Sequence, residues 1–246
     1  MDERLFAIFA EVERTHWWFV ARRELISAVV ERILPPGGSI LDVGCGTGFV
    51  LERLRERYDA AGVDQSPIAL ALCRARGLDQ TWLGSPENLT AVAGRRFDLV
   101  LFLDVLEHLD HNVSALRHAA GVMAPGGAVL VTVPAFRFLW SRHDELNQHR
   151  RRYTRGELEA LLRRSGFSVE RSSYFNTYLF PLAVATRMAG RLLRSEPAGL
   201  GVPPAPINRL LRRVFESEKR RLARAGPARG FPFGVSLLAV GRKQAS

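Results

Sequence analysis

The spacing of apolar residues predicts helices that alternate with short strands. Apolar positions recur at helical intervals over residues 5–32, 49–58, 67–76, 112–123 and 158–164. Between them lie short apolar runs, rich in β-branched residues, at residues 40–43, 60–63, 81–83, 97–103, 129–133, 167–174 and 234–241. Runs of this kind are typical of strands buried on both faces. The alternation predicts βαβ units and an α/β fold with a parallel sheet.

A glycine-rich turn follows the first of these strands. Residues 39–48 read SILDVGCGTG, so Gly44, Gly46 and Gly48 separate a strand from a helix. Glycines at such a turn allow positive φ and let the backbone approach a ligand at the helix N-terminus. Asp42 precedes them, and Asp64 ends the second strand, where an acid can accept hydrogen bonds from ribose hydroxyls.

Residues 42–48 (DVGCGTG) and 62–66 (GVDQS) resemble the first two motifs of the class I S-adenosylmethionine-dependent methyltransferases. Dehydrogenases carry G-x-G-x-x-G instead, which makes a nucleotide-dependent oxidoreductase the least favoured interpretation. The resemblance implies S-adenosylmethionine as cofactor and S-adenosylhomocysteine as product. The cofactor-binding residues that it implies are Asp42, Gly44, Cys45, Gly46, Gly48, Asp64, Gln65, Ser85 and Asp104. Ser85 stands where many relatives have an acid that meets the adenine.

The resemblance also implies the architecture. It implies a Rossmann-like, seven-stranded, mostly parallel sheet with helices on both faces and an antiparallel last strand. Residues 1–36 would form an N-terminal helical lid, and residues 37–175 with 234–246 the S-adenosylmethionine-binding domain. Residues 176–233 would be a helical insertion before the last strand, where relatives have a short connection.

Composition bears on the size of the core, the cellular location and the state of the cysteines. With 246 residues and 47% hydrophobic composition, the chain can form one sizeable core. No apolar run reaches the roughly 18 residues of a membrane span, and the charged start is unlike a secretory signal, so a cytoplasmic location is expected. The two cysteines, Cys45 and Cys73, are interpreted as buried thiols.

The net charge of +10 is carried by arginines, apart from two lysines, and is densest near the C-terminus. Residues 178–224 combine an apolar run with a basic amphipathic helix, predicted over residues 207–215. Three interpretations stay open for this segment: peripheral contact with an anionic membrane, a substrate cap on the domain, or a homodimer interface. A nucleic-acid partner is not expected, because no aromatic stacking motif accompanies the arginines.

Asp104, Glu107 and His108 follow the central strand within one turn of a predicted helix. Asp104 could cap that helix, with His108 near its C-terminus. Alternatively, the two carboxylates and the imidazole form part of a divalent-metal site, with Glu107 and His108 as its candidate ligands. Some ubiquinone-biosynthesis O-methyltransferases, which this stretch resembles, are metal-assisted. The sequence shows only part of a coordination shell, so a metal-free reaction is favoured.

The polar segment 136–153 lies beyond the end of the next strand, where α/β sheets place ligands. His143 is predicted to be a general base, because an imidazole can remove a proton near neutral pH, and His108 is a second catalytic candidate. Arg151 and Arg152 could pair with an anionic group, unless the segment is a loop tied by Asp–Arg pairs. The predicted substrate-contacting residues are His16, Trp17, Trp140, Tyr153 and Tyr174.

Together these features predict a methyltransferase of small-molecule biosynthesis. The apolar and aromatic character of the lid and insertion favours a hydrophobic or aromatic small-molecule acceptor, methylated on oxygen. The alternatives are a non-catalytic S-adenosylmethionine-binding module and an N- or C-methyltransferase that acts on another acceptor.

Overall fold

The computed structural model describes residues 4–193, 201–224 and 230–244 of the chain, whose centre is a seven-stranded sheet. The sheet order is β3-β2-β1-β4-β5-β7-β6, and β7 alone runs antiparallel to its neighbours. This confirms the predicted mostly parallel sheet. The strands are β1 (Ser39–Val43), β2 (Asp59–Asp64), β3 (Thr81–Leu83), β4 (Phe97–Leu103), β5 (Met123–Pro134), β6 (Phe167–Phe175) and β7 (Ser236–Lys243).

Helices cover both faces of the sheet and its carboxyl edge. They are α1 (Arg4–Val12), α2 (Trp17–Ile33), α3 (Phe49–Leu54), α4 (Pro67–Ala75), α5 (Asn112–Val122), α6 (Arg142–Leu146), α7 (Arg155–Arg164), α8 (Phe180–Leu193), α9 (Ala205–Glu216) and α10 (Lys219–Arg224). Thr154 and Glu157 form a reciprocal capping box at the start of α7, which satisfies two otherwise unpaired backbone N–H groups. The core is centred on β4 and β5, whose apolar side chains are almost all buried.

The predicted helix at Asp104 is wrong. Residues 104–109 form turns, and Asp104 itself has φ +60°, in the left-handed region that Asp adopts more readily than most residues. Its N–H donates to the carbonyl oxygen of Thr132 at 3.0 Å, so the sheet ladder determines its conformation. Asp104 therefore does not cap a helix.

The insertion packs on the N-terminal helices. Helices α9 and α10 contact α2, and the fully buried ring of Phe215 stacks on Phe175 with centroids 6.2 Å apart. The predicted amphipathic helix thus covers the domain with part of its apolar face, while Ile207 and Leu210 stay exposed. The first part of the proline-rich bend, residues 197–200, lies outside the described residues. None of the helices described here is both long and apolar enough to cross a bilayer.

Candidate active site

The glycine turn lies at the carboxyl end of β1, beside β4, where the strand order reverses. Gly44, Gly46 and Gly48 have φ values of +79°, +55° and +78°. A Cβ on Gly44 would lie 2.7 Å from Val105 Cγ2, and one on Gly48 would lie 2.4 Å from Leu78 Cδ1. Both the backbone conformation and the close packing therefore require glycine at these positions.

Two acids flank this turn. The Asp64 carboxylate accepts hydrogen bonds at 2.9 Å from the N–H groups of Gly46 and Ser66. Asp42 is buried, and its Oδ1 atom has no hydrogen-bond partner in the structure. Burial raises the pKa of Asp42 to about 7, although the nearby Arg22 guanidinium opposes the shift. An unpartnered carboxylate oxygen beside a glycine cradle fits a cofactor with a cationic amino group, as S-adenosylmethionine has.

A cavity of about 600 Å³ opens from the glycine turn. Gly44, Cys45 and Gly46 line one end, and the aromatic side chains of α1 and α2 line the roof. His16 and Trp17, both predicted to contact the substrate, lie in this wall, and His16 Nδ1 also accepts a hydrogen bond from Trp18 N at 3.2 Å. The roof side chains are Phe6, Phe9, Trp17, Trp18 and Phe19, and α8 adds Leu182 and Ala183.

Another part of the cavity wall is polar. Asp104, Glu107, His108, His143 and His149 line it. Burial lowers the pKa of both His108 and His143 to about 4, so both imidazoles are neutral at pH 7. An imidazole with so low a pKa binds a proton weakly, and the base role of these two residues stays a prediction.

A buried ion-pair network holds the segment after β5. Asp144 is fully buried and accepts hydrogen bonds from Arg152 Nε at 2.8 Å and Arg152 Nη2 at 3.0 Å. It also pairs with His149 Nδ1 at 2.8 Å and Ser141 N at 2.8 Å. These partners hold the pKa of Asp144 well below its usual range. Arg152 is thus engaged by Asp144 within the protein, in line with the second interpretation of this segment, a loop tied by Asp–Arg pairs.

Three of the predicted substrate residues lie outside the cavity wall. The Tyr153 hydroxyl donates to Leu106 O at 3.1 Å, and the Tyr174 hydroxyl accepts from Arg155 N at 3.1 Å. The Tyr174 ring stacks on Phe136 with centroids 4.8 Å apart. Trp140 is also absent from the lining. The Tyr153 hydroxyl ties the polar segment to the turn after β4, whereas Tyr174 contacts the segment through the ring of Phe136.

Some of the predicted cofactor-binding residues line the cavity and others do not. Asp104 lines the cavity and forms an ion pair with Arg22 Nη2 at 2.7 Å. The candidates that do not line it are Asp42, Gly48, Asp64, Gln65 and Ser85. Ser85 forms a turn in which its carbonyl accepts from Asn88 N at 3.0 Å. The adenosine contacts of Gln65 and Ser85 stay predictions.

His149 is the site residue that the sequence did not identify. It lies on the same cavity wall as His108, with the two ring centroids 4.9 Å apart. Three arginines follow it in the sequence, so the local pattern indicates a charged loop. Only the fold brings this loop back to the end of β4.

A family model described as a methyltransferase domain matches residues 18–172, more than half of this chain. The chain therefore belongs to the class I S-adenosylmethionine-dependent methyltransferase family, which confirms the family that its motifs predicted.

Individual relatives are more distant. The chain is 29% identical over 110 residues to a ubiquinone biosynthesis O-methyltransferase of Xanthomonas campestris pv. campestris (strain B100), covering 42% of this chain and 46% of that protein. It is 37% identical over 103 residues to the enzyme of that name from Azorhizobium caulinodans, covering 39% of this chain and 40% of that protein. The chain thus spans less than half the length of these curated relatives.

Solved structures share the fold across most of the chain. The SpnF cyclase matches with a TM-score of 0.61 and 22% identity, covering 93% of this chain and 84% of that one. The plantazolicin methyltransferase BamL, solved with a substrate analogue and S-adenosylhomocysteine, matches with a TM-score of 0.60 and 15% identity, covering 92% and 86%. At these identities the similarity concerns the fold alone.

Proposed function

We propose that this protein transfers a methyl group from S-adenosylmethionine to a small hydrophobic or aromatic acceptor, preferably on an oxygen atom. The observation that carries the proposal is a single cavity of about 600 Å³ that joins the glycine turn, an aromatic roof and a cluster of imidazoles. Its size and apolar lining match those of small-molecule sites. When bound, S-adenosylmethionine supplies an electrophilic methyl group on a sulfonium ion.

The side chains of this chain would bind and orient the two reactants. Asp42 and the glycine turn would hold the methionine end of the cofactor, and Asp64 its ribose. The roof of Phe6, Phe9 and Trp18 would exclude water and hold an apolar acceptor in line with the methyl group. Such orientation can remove several kcal/mol, roughly 7–11 in model reactions, from the barrier.

Deprotonation of the acceptor limits the choice of substrate. His143 and His108 are the proposed bases, but the pKa of each is lowered to about 4. Weak bases act efficiently only on an acidic proton. This favours a phenol-type hydroxyl over an aliphatic alcohol. The names of the curated relatives, ubiquinone biosynthesis O-methyltransferases, support the same preference.

Two alternatives remain, because proteins of this fold carry out different reactions. One structural relative is a cyclase, so this architecture alone does not fix the reaction. A non-catalytic S-adenosylmethionine-binding module would keep the glycine turn and lack transfer. An N- or C-methyltransferase would use the same cofactor site with a different acceptor.

Calorimetric titration with S-adenosylmethionine, S-adenosylhomocysteine and NADH tests the cofactor. We expect micromolar binding of the first two only, weakened at least ~10-fold by Asp64→Ala through the loss of a charged hydrogen-bond acceptor. Asp79→Ala, at an exposed acid outside the cavity, is the control. Binding of NADH, or of none of the three, would contradict the proposal.

Methyl transfer from labelled cofactor to phenols, catechols, alcohols, amines and RNA then tests the acceptor. We expect phenols and catechols to accept the label and His143→Ala to reduce transfer while cofactor affinity is retained. Transfer to amines or RNA alone would contradict the acceptor class. Binding without transfer to any acceptor would support the non-catalytic module.

The setting of the enzyme is part of the proposal. We place it in the cytoplasm, with peripheral contact to an anionic membrane through residues 178–224 or, alternatively, as a homodimer. Exposed apolar side chains on α8 and α9, beside exposed arginines, support a contact surface. No nucleic-acid partner is proposed.

A further inference from the structure

Glu107 is the one fully buried acid of the cavity wall for which the described residues supply no hydrogen-bond partner at either carboxylate oxygen. It lies in the turn after β4. Removing a carboxylate from water without a partner is costly, so such groups in proteins are paired with a cation or take up a proton. Nearby Asp104 is instead paired with Arg22 Nη2 at 2.7 Å.

Two imidazoles lie beside this carboxylate. His108 is the next residue, and His149 arrives from the segment after α6. His149 Nε2 lies 4.0 Å from Glu107 Oε1, and one donor atom from each of the three residues lies within 4.8 Å of the other two. The backbone holds the two segments together, since Arg150 N donates to Glu107 O at 2.9 Å.

The orientation of His149 is determined by Asp144. The carboxylate of Asp144 receives the Nδ1–H of His149 at 2.8 Å and is itself held by Arg152. This leaves the lone pair of Nε2 directed toward Glu107. A carboxylate that binds the distal nitrogen of a histidine is the usual outer-shell arrangement of metal-ligating histidines.

We propose that Glu107, His108 and His149 bind a divalent transition-metal ion of the class that accepts imidazole and carboxylate ligands, such as Zn²⁺, Mn²⁺ or Co²⁺. Bond lengths of about 2.0–2.2 Å place tetrahedral ligand atoms about 3.4 Å apart, so donors that lie within 4.8 Å of one another would have to approach by up to about 1.5 Å. The sequence showed one arm of this shell, Glu107 and His108. The fold adds His149 and removes Asp104, which is engaged by Arg22 Nη2 at 2.7 Å.

Three protein ligands leave open coordination positions, and all three residues line the cavity. An acceptor hydroxyl could take such a position, where a metal ion lowers the pKa of the oxygen that it binds. This role rests on the proposed methyl transfer, whereas the binding of the metal does not. It would also compensate for the weak basicity of His143, since His108 as a ligand would not serve as a base.

The test is metal binding by the full chain without S-adenosylmethionine. Protein dialysed against chelator and then buffer is titrated calorimetrically with ZnCl₂, and Co²⁺ binding is followed by its visible absorption. We expect about one ion per chain with micromolar or tighter affinity. Glu107→Gln and His149→Ala should each weaken binding at least ~100-fold, and Asp144→Asn by ~10–100-fold, as outer-shell substitutions do. His118→Ala, an exposed histidine on α5, should bind like the unaltered chain.

Folding does not confound this test. Glu107→Gln is expected to fold at least as well as the unaltered chain, because it removes an unpartnered buried charge. Stability and circular dichroism of each variant check this. No stoichiometric binding, or binding that Glu107→Gln and His149→Ala leave unchanged, would overturn the proposal. Methyl transfer that persists after such a result would retain the proposed function, whereas metal binding without transfer would contradict that function and not the metal site.

Discussion

At the scale of single residues, Asp42 shows that binding and stability make opposite demands. Its side chain is buried at the end of β1 with one carboxylate oxygen unpaired, and burial raises its pKa to about 7 from an ordinary value of 3.8. The folded protein therefore holds the Asp42 proton more tightly than the unfolded chain does. Stability that is fully present below pH 3.8 is lost as the pH rises toward 7.

We predict that Asp42→Asn is stabilised relative to the unaltered protein above neutral pH. The full shift corresponds to about 4 kcal/mol as an upper bound, since one pKa unit is about 1.4 kcal/mol. The advantage of the variant should grow from pH 5 to pH 7 and then remain constant, and its affinity for S-adenosylmethionine should fall. Urea denaturation across this range measures the first effect and calorimetry the second. Asp79→Asn serves as an exposed control, and a difference in stability that does not vary with pH would contradict the pKa argument.

The residues of the site were predictable where backbone geometry demands a residue type. Gly44, Gly46 and Gly48 stand out because the turn requires positive φ at all three and close packing at Gly44 and Gly48, which leaves a signal in the sequence. His149 leaves no such signal. Its role depends on Asp144 and Arg152, and that buried network exists only after residues 136–153 have folded over the end of β4.

At the scale of elements, the N-terminal helices are tied down from two sides. Glu13, just after α1, pairs with Arg76 beyond α4 and accepts a hydrogen bond from Thr47 Oγ1 at 2.6 Å. On the other side, Asn208 of α9 accepts from Trp17 N and donates to Thr15 O, each at 2.8 Å. The roof of the cavity is therefore fixed both to the glycine turn and to the insertion.

We predict that Asn208→Ala loosens this roof without unfolding the sheet. Loss of two hydrogen bonds at about 1 kcal/mol each should increase the opening of residues 13–19 by roughly 10-fold or more. Amide hydrogen exchange read by mass spectrometry would show faster exchange there and unchanged exchange in β4 and β5. Arg209→Ala is the matched control, at an exposed position on the same helix. Equal exchange in the two variants would show that Asn208 does not hold the roof.

Element types followed from periodicity more reliably than did local turns. The apolar run of β4 predicted a central strand, and the structure buries Leu99, Val100 and Phe102 completely. The residues just after it were predicted as a helix because Asp104, Glu107 and His108 have helical spacing. The hydrogen bond from Asp104 N to Thr132 O extends the pairing with β5 and forces a turn instead, which no pattern within residues 104–108 contains.

At the scale of the whole molecule, the connectivity predicted the sheet topology but did not predict how the insertion packs. Alternating strands and helices restrict a parallel sheet to few topologies, and the family motifs place the ligand at the carboxyl ends of its strands. The amphipathic pattern of α9 indicates that one face of the helix is covered, but it does not indicate which residues cover it. In the structure Phe215 packs between Phe175 and Trp17, contacts that join residues far apart in the chain.

The exposed part of the insertion carries the last prediction. Ile207 and Leu210 of α9 are 51% and 61% exposed, on a helix that also presents Arg209, Arg212 and Arg213. With a net charge of +10, such a surface favours an anionic bilayer, where apolar side chains insert and arginines meet lipid headgroups.

We predict that the protein sediments with vesicles containing phosphatidylserine, and that binding falls several-fold when salt is raised from about 0.1 to 0.5 M. The double variant Ile207→Gln/Leu210→Gln should reduce binding by a similar factor, while Leu83→Gln, at a 59% exposed apolar position on β3, should not. If vesicles bind neither protein and the double variant instead abolishes a concentration-dependent dimer in sedimentation velocity, the surface is a homodimer interface and the membrane prediction is wrong.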